Sequence, residues 1–177
     1  DEYLTFYSLE KKLLPILETY CFKNKLNLDI MFRYNKKAIS KYNLEMNFYN
    51  SFIKNFRGLR DHNIYNMIDN YENIITIDST LGYEALTRNK KVFFFHNRVI
   101  KKNNIYYKDQ FGWPKFFKKN NFFCDINEKK INKYLRSNLN LSYQKWFKIN
   151  NKHFNNFIVF DYKNKKLSKL IQSILNK

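Results

Sequence analysis

The sequence predicts an α/β fold: a parallel sheet with helices on both faces and a helical C-terminal end. Three observations predict it. Short apolar runs, "NIITID" (73–78), "KVFFFH" (91–96) and "NFFCDI" (121–126), alternate with stretches of helical periodicity. The runs are too short for helices and read as buried strands, which need cover on each face. Three helical stretches then follow one another at the end of the chain.

Taken in order, Leu4, Tyr7, Leu13, Leu14, Leu17, Tyr20 and Cys21 recur at helical spacing and predict a helix over 3–24. Pro15 interrupts that pattern. It either kinks the helix or marks the first turn of a second piece beginning near Leu13. "LNLDIMFRY" (26–34) predicts a strand near 27–33. "NLEMNFYNSFIKNF" divides into a helix near 43–50 and a short strand near 51–56. A helix over 64–71, the strand 73–78, a helix over 81–89 and the strand 91–96 come next. Residues 97–120 lack a clear period and read as a long loop carrying "FGWP". The strand 121–126 precedes helices near 127–137, 142–159 and 164–176. Their apolar stripes include Ile131, Tyr134 and Leu135, and later Leu167, Leu170, Ile171, Ile174 and Leu175. The last three helices wrap back over the sheet or over a missing lobe. No internal repeat or low-complexity linker divides the chain, so residues 1–177 read as one domain.

Composition narrows the function. No segment has 18 uninterrupted apolar residues, so no membrane span is predicted. The start, "DEYLTFYSLEKK", is acidic and has no apolar signal-peptide core. Cys21 and Cys124 are isolated and read as reduced thiols of a cytoplasmic protein. His62, His96 and His153 share no metal-ligand spacing, so no metal and no cofactor is expected. The net charge of +18 raises nucleic acid as a partner. The lysines are spread evenly, however, and no recognition motif accompanies them. Specific nucleic-acid binding is therefore not expected, whereas peripheral attraction to an anionic membrane surface, the inner leaflet included, is.

The stretch richest in chemistry is "IITIDSTLGYEALTRNKKVFFF" (74–95), which sets one of only three glycines behind a Ser-Thr pair. In folds of this class ligands sit beyond the carboxyl ends of the strands. Asp78-Ser79-Thr80 lies at such an end and opens a helix. A helix start offers unpaired amides and partial positive charge, which suit phosphate. The Ser79 and Thr80 hydroxyls can donate to the same oxygens. Gly82 permits close approach to the backbone, and Glu84 can accept from ribose hydroxyls. A plainer account is also open: a helix cap, a carboxylate suited to the dipole, and a glycine packing a helix on a sheet. Neither a Walker loop nor "GxGxxG" is present.

"DSTLGYEAL" with "KKVFFF" resembles the C-terminal, donor-binding half of GT-B glycosyltransferases that build bacterial surface polysaccharides. The surface-carbohydrate transferases of Leptospira type are the nearest resemblance, and GT-B transferases using CMP-Kdo or CMP-sialic acid a remoter one. "LLPILETYCFKNKLNLDIMFRY", "FGWPKFFKKNNFFCDIN" and "YQKWF" are similar to further parts of that half. The resemblance implies a Rossmann-like lobe in which Ser79 and Thr80, with the Leu81 and Gly82 amides, hold the nucleotide phosphate. It implies Glu84 near the ribose or base. The sialyltransferase-like members carry a His-Pro pair after the first strand, where this chain has "FRYNKK"; Arg33 stands at that corner and can pair with phosphate or carboxylate. His96, at the end of a strand, is a candidate proton carrier or a structural residue; Arg98 and Trp113-Pro114 are weaker candidates.

The resemblance further implies a nucleotide-sugar donor, CMP-sugar ahead of UDP-sugar, a glycan acceptor, and no metal. The catalytic base would come from an N-terminal acceptor lobe not represented in these residues, so no catalytic residue is named. Two alternatives stand beside this reading. One is a non-catalytic binding or scaffold domain of the same fold. The other is a related sugar-nucleotide epimerase or polyol-phosphate transferase.

Overall fold

The structure, a computed structural model, describes residues 8–33, 39–59, 63–77, 79–95, 99–102, 105–108, 123–124, 127–154 and 165–176. Helix α1 (Ser8–Lys23) buries Leu9, Leu13, Leu17 and Tyr20 along one stripe. Pro15 stands inside this helix rather than dividing it. Strand β1 (Asp29–Met31) is shorter than the predicted 27–33. Helix α2 (Ile39–Asn50) begins before the predicted 43.

The strand expected at 51–56 is instead Arg57–Leu59, here β2. Phe52, Ile53 and Phe56 are apolar because they fill a core, not because they pair in a sheet. They pack with Ile30, Phe32, Tyr42 and Tyr49, and the Phe32 and Tyr49 rings stack at 5.4 Å. β1 and β2 run parallel, with Ile30 opposite Gly58.

Helix α3 (Ile64–Asp69) is capped by Asn63, whose side chain accepts from the amides of Tyr65 and Asn66. Strand β3 (Asn73–Thr76), helix α4 (Leu81–Thr87) and strand β4 (Lys91–Phe95) follow at their expected places. Asn89 closes α4 with a positive φ of 60°, and the Lys90 amide returns to the Ala85 carbonyl at 3.1 Å. β3 and β4 pair in parallel, Ile74 opposite Val92 and Thr76 opposite Phe94.

The region 97–120, expected as loop, contains an antiparallel pair, β5 (Val99–Lys102) and β6 (Ile105–Lys108). Trp113 and Pro114 lie outside the described residues. Strand β7 (Phe123–Cys124) adds to β4 in parallel. Helices α5 (Glu128–Leu139), α6 (Tyr143–Phe154) and α7 (Lys165–Leu175) complete the helical end.

Among the described residues the parallel strands form two groups, β1-β2 and β3-β4-β7, rather than one continuous ladder. A side-chain bond joins them: the Tyr71 hydroxyl, just before β3, donates to Asp29 of β1 at 2.6 Å.

β4 is the centre of the fold. Its residues are buried throughout, and alternation sends them to opposite faces. Val92 and Phe94 pack with Ile68, Ala85, Leu86, Trp146 and Phe154 of α3, α4 and α6. Phe93 and Phe95 pack with Leu13, Leu17, Tyr20, Ile131 and Leu135 of α1 and α5. Helices thus cover both faces of this strand, as the continuous apolar run predicts.

Candidate functional site

The corner after β3 is built by Thr76. Its side chain is buried, and its two γ groups do different work. The hydroxyl accepts from the Ser79 amide at 3.3 Å, turning the chain out of the strand. The methyl lies over Gly82: a Cβ on Gly82 would meet Thr76 Cγ2 at 2.5 Å and Phe94 Cε1 at 2.8 Å. Only a residue without a side chain lets α4 lie this close to β3 and β4. The side of Gly82 that lacks a Cβ therefore faces the sheet.

Ser79 and Thr80 are both exposed at the corner. Ser79 Oγ accepts from the Leu81 amide at 3.2 Å, and the Ser79 carbonyl accepts from the Gly82 amide at 3.1 Å. Thr80 occupies the N-cap position but is already helical (φ −58°, ψ −23°), and its side chain makes no capping bond. Its carbonyl accepts from Tyr83 and Glu84. The Leu81 and Gly82 amides are thus engaged within the turn, and the Thr80 hydroxyl points to no capping amide.

Glu84 is half-buried one turn further on, where it accepts from the Tyr65 hydroxyl at 2.6 Å. That bond pushes the Tyr65 phenol up from its ordinary value, since losing the proton would leave two negative charges together. Arg88 stacks over the Tyr65 ring at 5.3 Å and pairs with Asp69 through two bonds. The Asp69 carboxyl is held below its usual range by that hydrogen bond. Lys90 donates to the Asp69 carbonyl at 2.6 Å. Together these contacts clamp α3 to α4 and fix Glu84 in the clamp.

Arg33 lies just beyond β1 with its side chain exposed, and its backbone amide donates to both carboxylate oxygens of the buried Glu45 at 3.1 Å. It stands, like Ser79 and Thr80, past the carboxyl end of a parallel strand. His96 and Asp78 lie outside the described residues, as does Arg98. Among the described residues no group of three or more His, Cys, Asp and Glu could hold a metal, and no helix is long and apolar enough to cross a membrane.

Three side chains that shape the corner and the sheet around it carry little or no signal in the sequence. Thr76 carries a weak signal, a threonine at the end of an apolar strand. Tyr65 carries none, because its partner Glu84 is far along the chain. Lys91 looks like one of a solvated pair in "KK", yet it is completely buried. Its Nζ donates to the carbonyls of Leu139 and Leu141 at 2.7 and 2.8 Å and pairs with Glu72 at 2.8 Å. A cation there answers the exposed carbonyls at the C-terminus of α5.

Comparison with known proteins agrees with the surface-polysaccharide reading at the level of the family. A family model described as "putative O-antigen biosynthesis protein" matches residues 2–175. No curated protein and no solved structure matches the chain.

Proposed function

For a chain that belongs to this family of O-antigen biosynthesis proteins, we propose that residues 1–177 are the Rossmann-like, donor-binding lobe of a GT-B glycosyltransferase. A CMP-sugar, ahead of a UDP-sugar, would sit at the carboxyl ends of β1 and β3. One observation carries this reading. Hydroxyls of Ser79 and Thr80 stand exposed where a parallel strand turns into a helix, the place where ligands bind in such sheets. In the bound state Ser79 Oγ exchanges its 3.2 Å contact with the Leu81 amide for a phosphate oxygen, which then takes both donors. Thr80 adds its hydroxyl. Arg33 supplies the positive charge that two phosphates need. Glu84, oriented by Tyr65, accepts from a ribose hydroxyl, and His96, which follows β4 in the sequence, is a further candidate contact. Gly82 contributes by keeping α4 close to the sheet. The catalytic base and the glycan acceptor belong to a second lobe.

A second reading, a non-catalytic scaffold of the same fold, is favoured by the Leu81 and Gly82 amides and Glu84 already having partners. Calorimetric titration with CMP, CDP, UDP and GDP, without metal, separates the two. Binding is expected, with CMP among the ligands. Ser79→Ala with Thr80→Ala removes two charge-assisted bonds, each worth roughly 1.5–3 kcal/mol, and should weaken binding by about 3 kcal/mol or more. The same pair should leave stability within about 1 kcal/mol of the native chain. A folded protein that takes up none of the four nucleotides leaves the scaffold reading standing.

A further inference from the structure

Helix α7 is unlike the two helices before it. α5 buries Ile131 and Leu135 completely, and α6 buries Trp146 and Phe154. α7 buries nothing. Leu167, Leu170, Ile171, Ile174 and Leu175 recur at helical spacing, so they share one face, and each is between 48% and 77% exposed. Five aliphatic side chains on one side of an 11-residue helix are not a solvent face. A helix this short is also marginal in water without a surface to lie on.

The polar side says what that surface is. Lys165, Lys166 and Lys169 are exposed, and residues 165–176 contain no Asp or Glu. The whole chain carries +18. A second copy would bring the same lysines and the same net charge, so pairing α7 with α7 sets like charges together. A nucleic acid would satisfy the lysines and leave the aliphatic face in water. An anionic lipid surface satisfies both: acyl chains take the Leu and Ile side chains, and headgroups take the ammonium groups.

We propose that α7 is an in-plane amphipathic anchor that docks this protein on an anionic lipid bilayer through Leu167, Leu170, Ile171, Ile174 and Leu175, with Lys165 and Lys169 on the headgroups. This does not depend on the nucleotide-sugar reading, because α7 and the Ser79–Thr80 corner share no residue.

The test is co-sedimentation of the full chain with vesicles of phosphatidylcholine alone and of phosphatidylcholine mixed with phosphatidylglycerol. The mixed vesicles should bind at least about tenfold more tightly. Leu170→Gln with Ile174→Gln, which keeps the charge, should reduce binding to mixed vesicles at least about tenfold. Lys165→Gln with Lys169→Gln should remove most of the preference for phosphatidylglycerol. Circular dichroism and nucleotide titration of both variants should match the native chain, which isolates a failure of this proposal from a failure of the donor-site reading. Undiminished binding by the Leu170→Gln, Ile174→Gln chain would mean that the diffuse lysines act without α7, and overturns the proposal. So does concentration-dependent dimerisation, measured by sedimentation equilibrium, that this variant abolishes while vesicles bind nothing.

Discussion

At the amino ends of the parallel strands, polar side chains are consumed by one another. Asp29 of β1 takes hydrogen bonds from Arg57 of β2 and from Tyr71 before β3, and Lys91 of β4 takes up Glu72 and two α5-end carbonyls. At the carboxyl ends the same classes of residue face outward. Arg33, Ser79 and Thr80 are exposed, and Ser79 makes one long side-chain bond to a neighbouring amide. The difference teaches how strand ends divide labour. Charges that meet at the amino edge hold strands and helices together; at the carboxyl edge Arg33, Ser79 and Thr80 are exposed. A residue's type does not reveal which use it has. Lys91 and Arg33 are both cations beside a strand, and burial tells them apart.

The largest break in that comparison should come from Lys91→Met. It leaves the Leu139 and Leu141 carbonyls unsatisfied and Glu72 unpaired. Glu72 is largely exposed and returns to water, but each carbonyl left without its donor costs about 1–3 kcal/mol, so the expected loss is about 3 kcal/mol by urea denaturation. Nucleotide affinity of the folded fraction should not change. If stability is unaffected, the contacts at the amino edge do not hold the strands and helices together.

Gly82→Ala tests the exception, a residue at the carboxyl edge with a packing role. The added methyl meets Thr76 and Phe94 well inside contact distance. Overpacking costs typically about 1–3 kcal/mol, against a helix-propensity gain of about 1. A net loss of about 1–2 kcal/mol in the same denaturation assay is expected. Adding Thr76→Ser removes the Cγ2 methyl while keeping the hydroxyl, and should recover part of that loss. Absence of recovery would place the strain against Phe94 alone.

Asp29→Asn should have the smallest effect, about 1 kcal/mol at neutral pH. Burial by itself would raise the Asp29 carboxyl, but the bonds from Arg57 and Tyr71 outweigh it and lower it below its ordinary value. A carboxylate with a depressed folded value stabilises fully above its unfolded value of about 3.9 and loses that contribution as pH falls through the depressed one. The native chain and the Asp29→Asn variant should therefore differ at pH 7 and converge in acid. A constant gap across that range would show that packing, not charge, sets the effect.

Much of the centre of the fold was legible. β3, α4 and β4 lie where their apolar runs and helical spacing put them, because each bears a pattern that local geometry dictates. The ends of elements were less so. Phe52, Ile53 and Phe56 read as a strand because apolar content alone does not distinguish pairing from packing. The β5–β6 pair lay unread in the expected loop, because "VIKK" and "IYYK" are short runs and Asn103-Asn104 lacks the glycine of the usual two-residue hairpin turn. The Ser79–Thr80 corner was legible as a place. What its neighbours do was not: the packing of Gly82 depends on Thr76 and Phe94, and Glu84 depends on Tyr65, partners set by tertiary approach rather than by spacing along the chain.

The two-sided burial of β4 has a consequence for how the chain must be made. "VFFF" is a short, uncharged, aromatic segment of the kind that adds readily to other exposed strands. Its cover comes from opposite directions in the sequence: α1 is synthesised before it, α5 and α6 well after it. During that interval half of its cover does not yet exist. Lys90 and Lys91 flank the segment on one side, and charges in that position oppose association of such segments. In the folded chain Lys91 is withdrawn from water and fastens the end of α5, which shields one face of the strand while α6 shields the other.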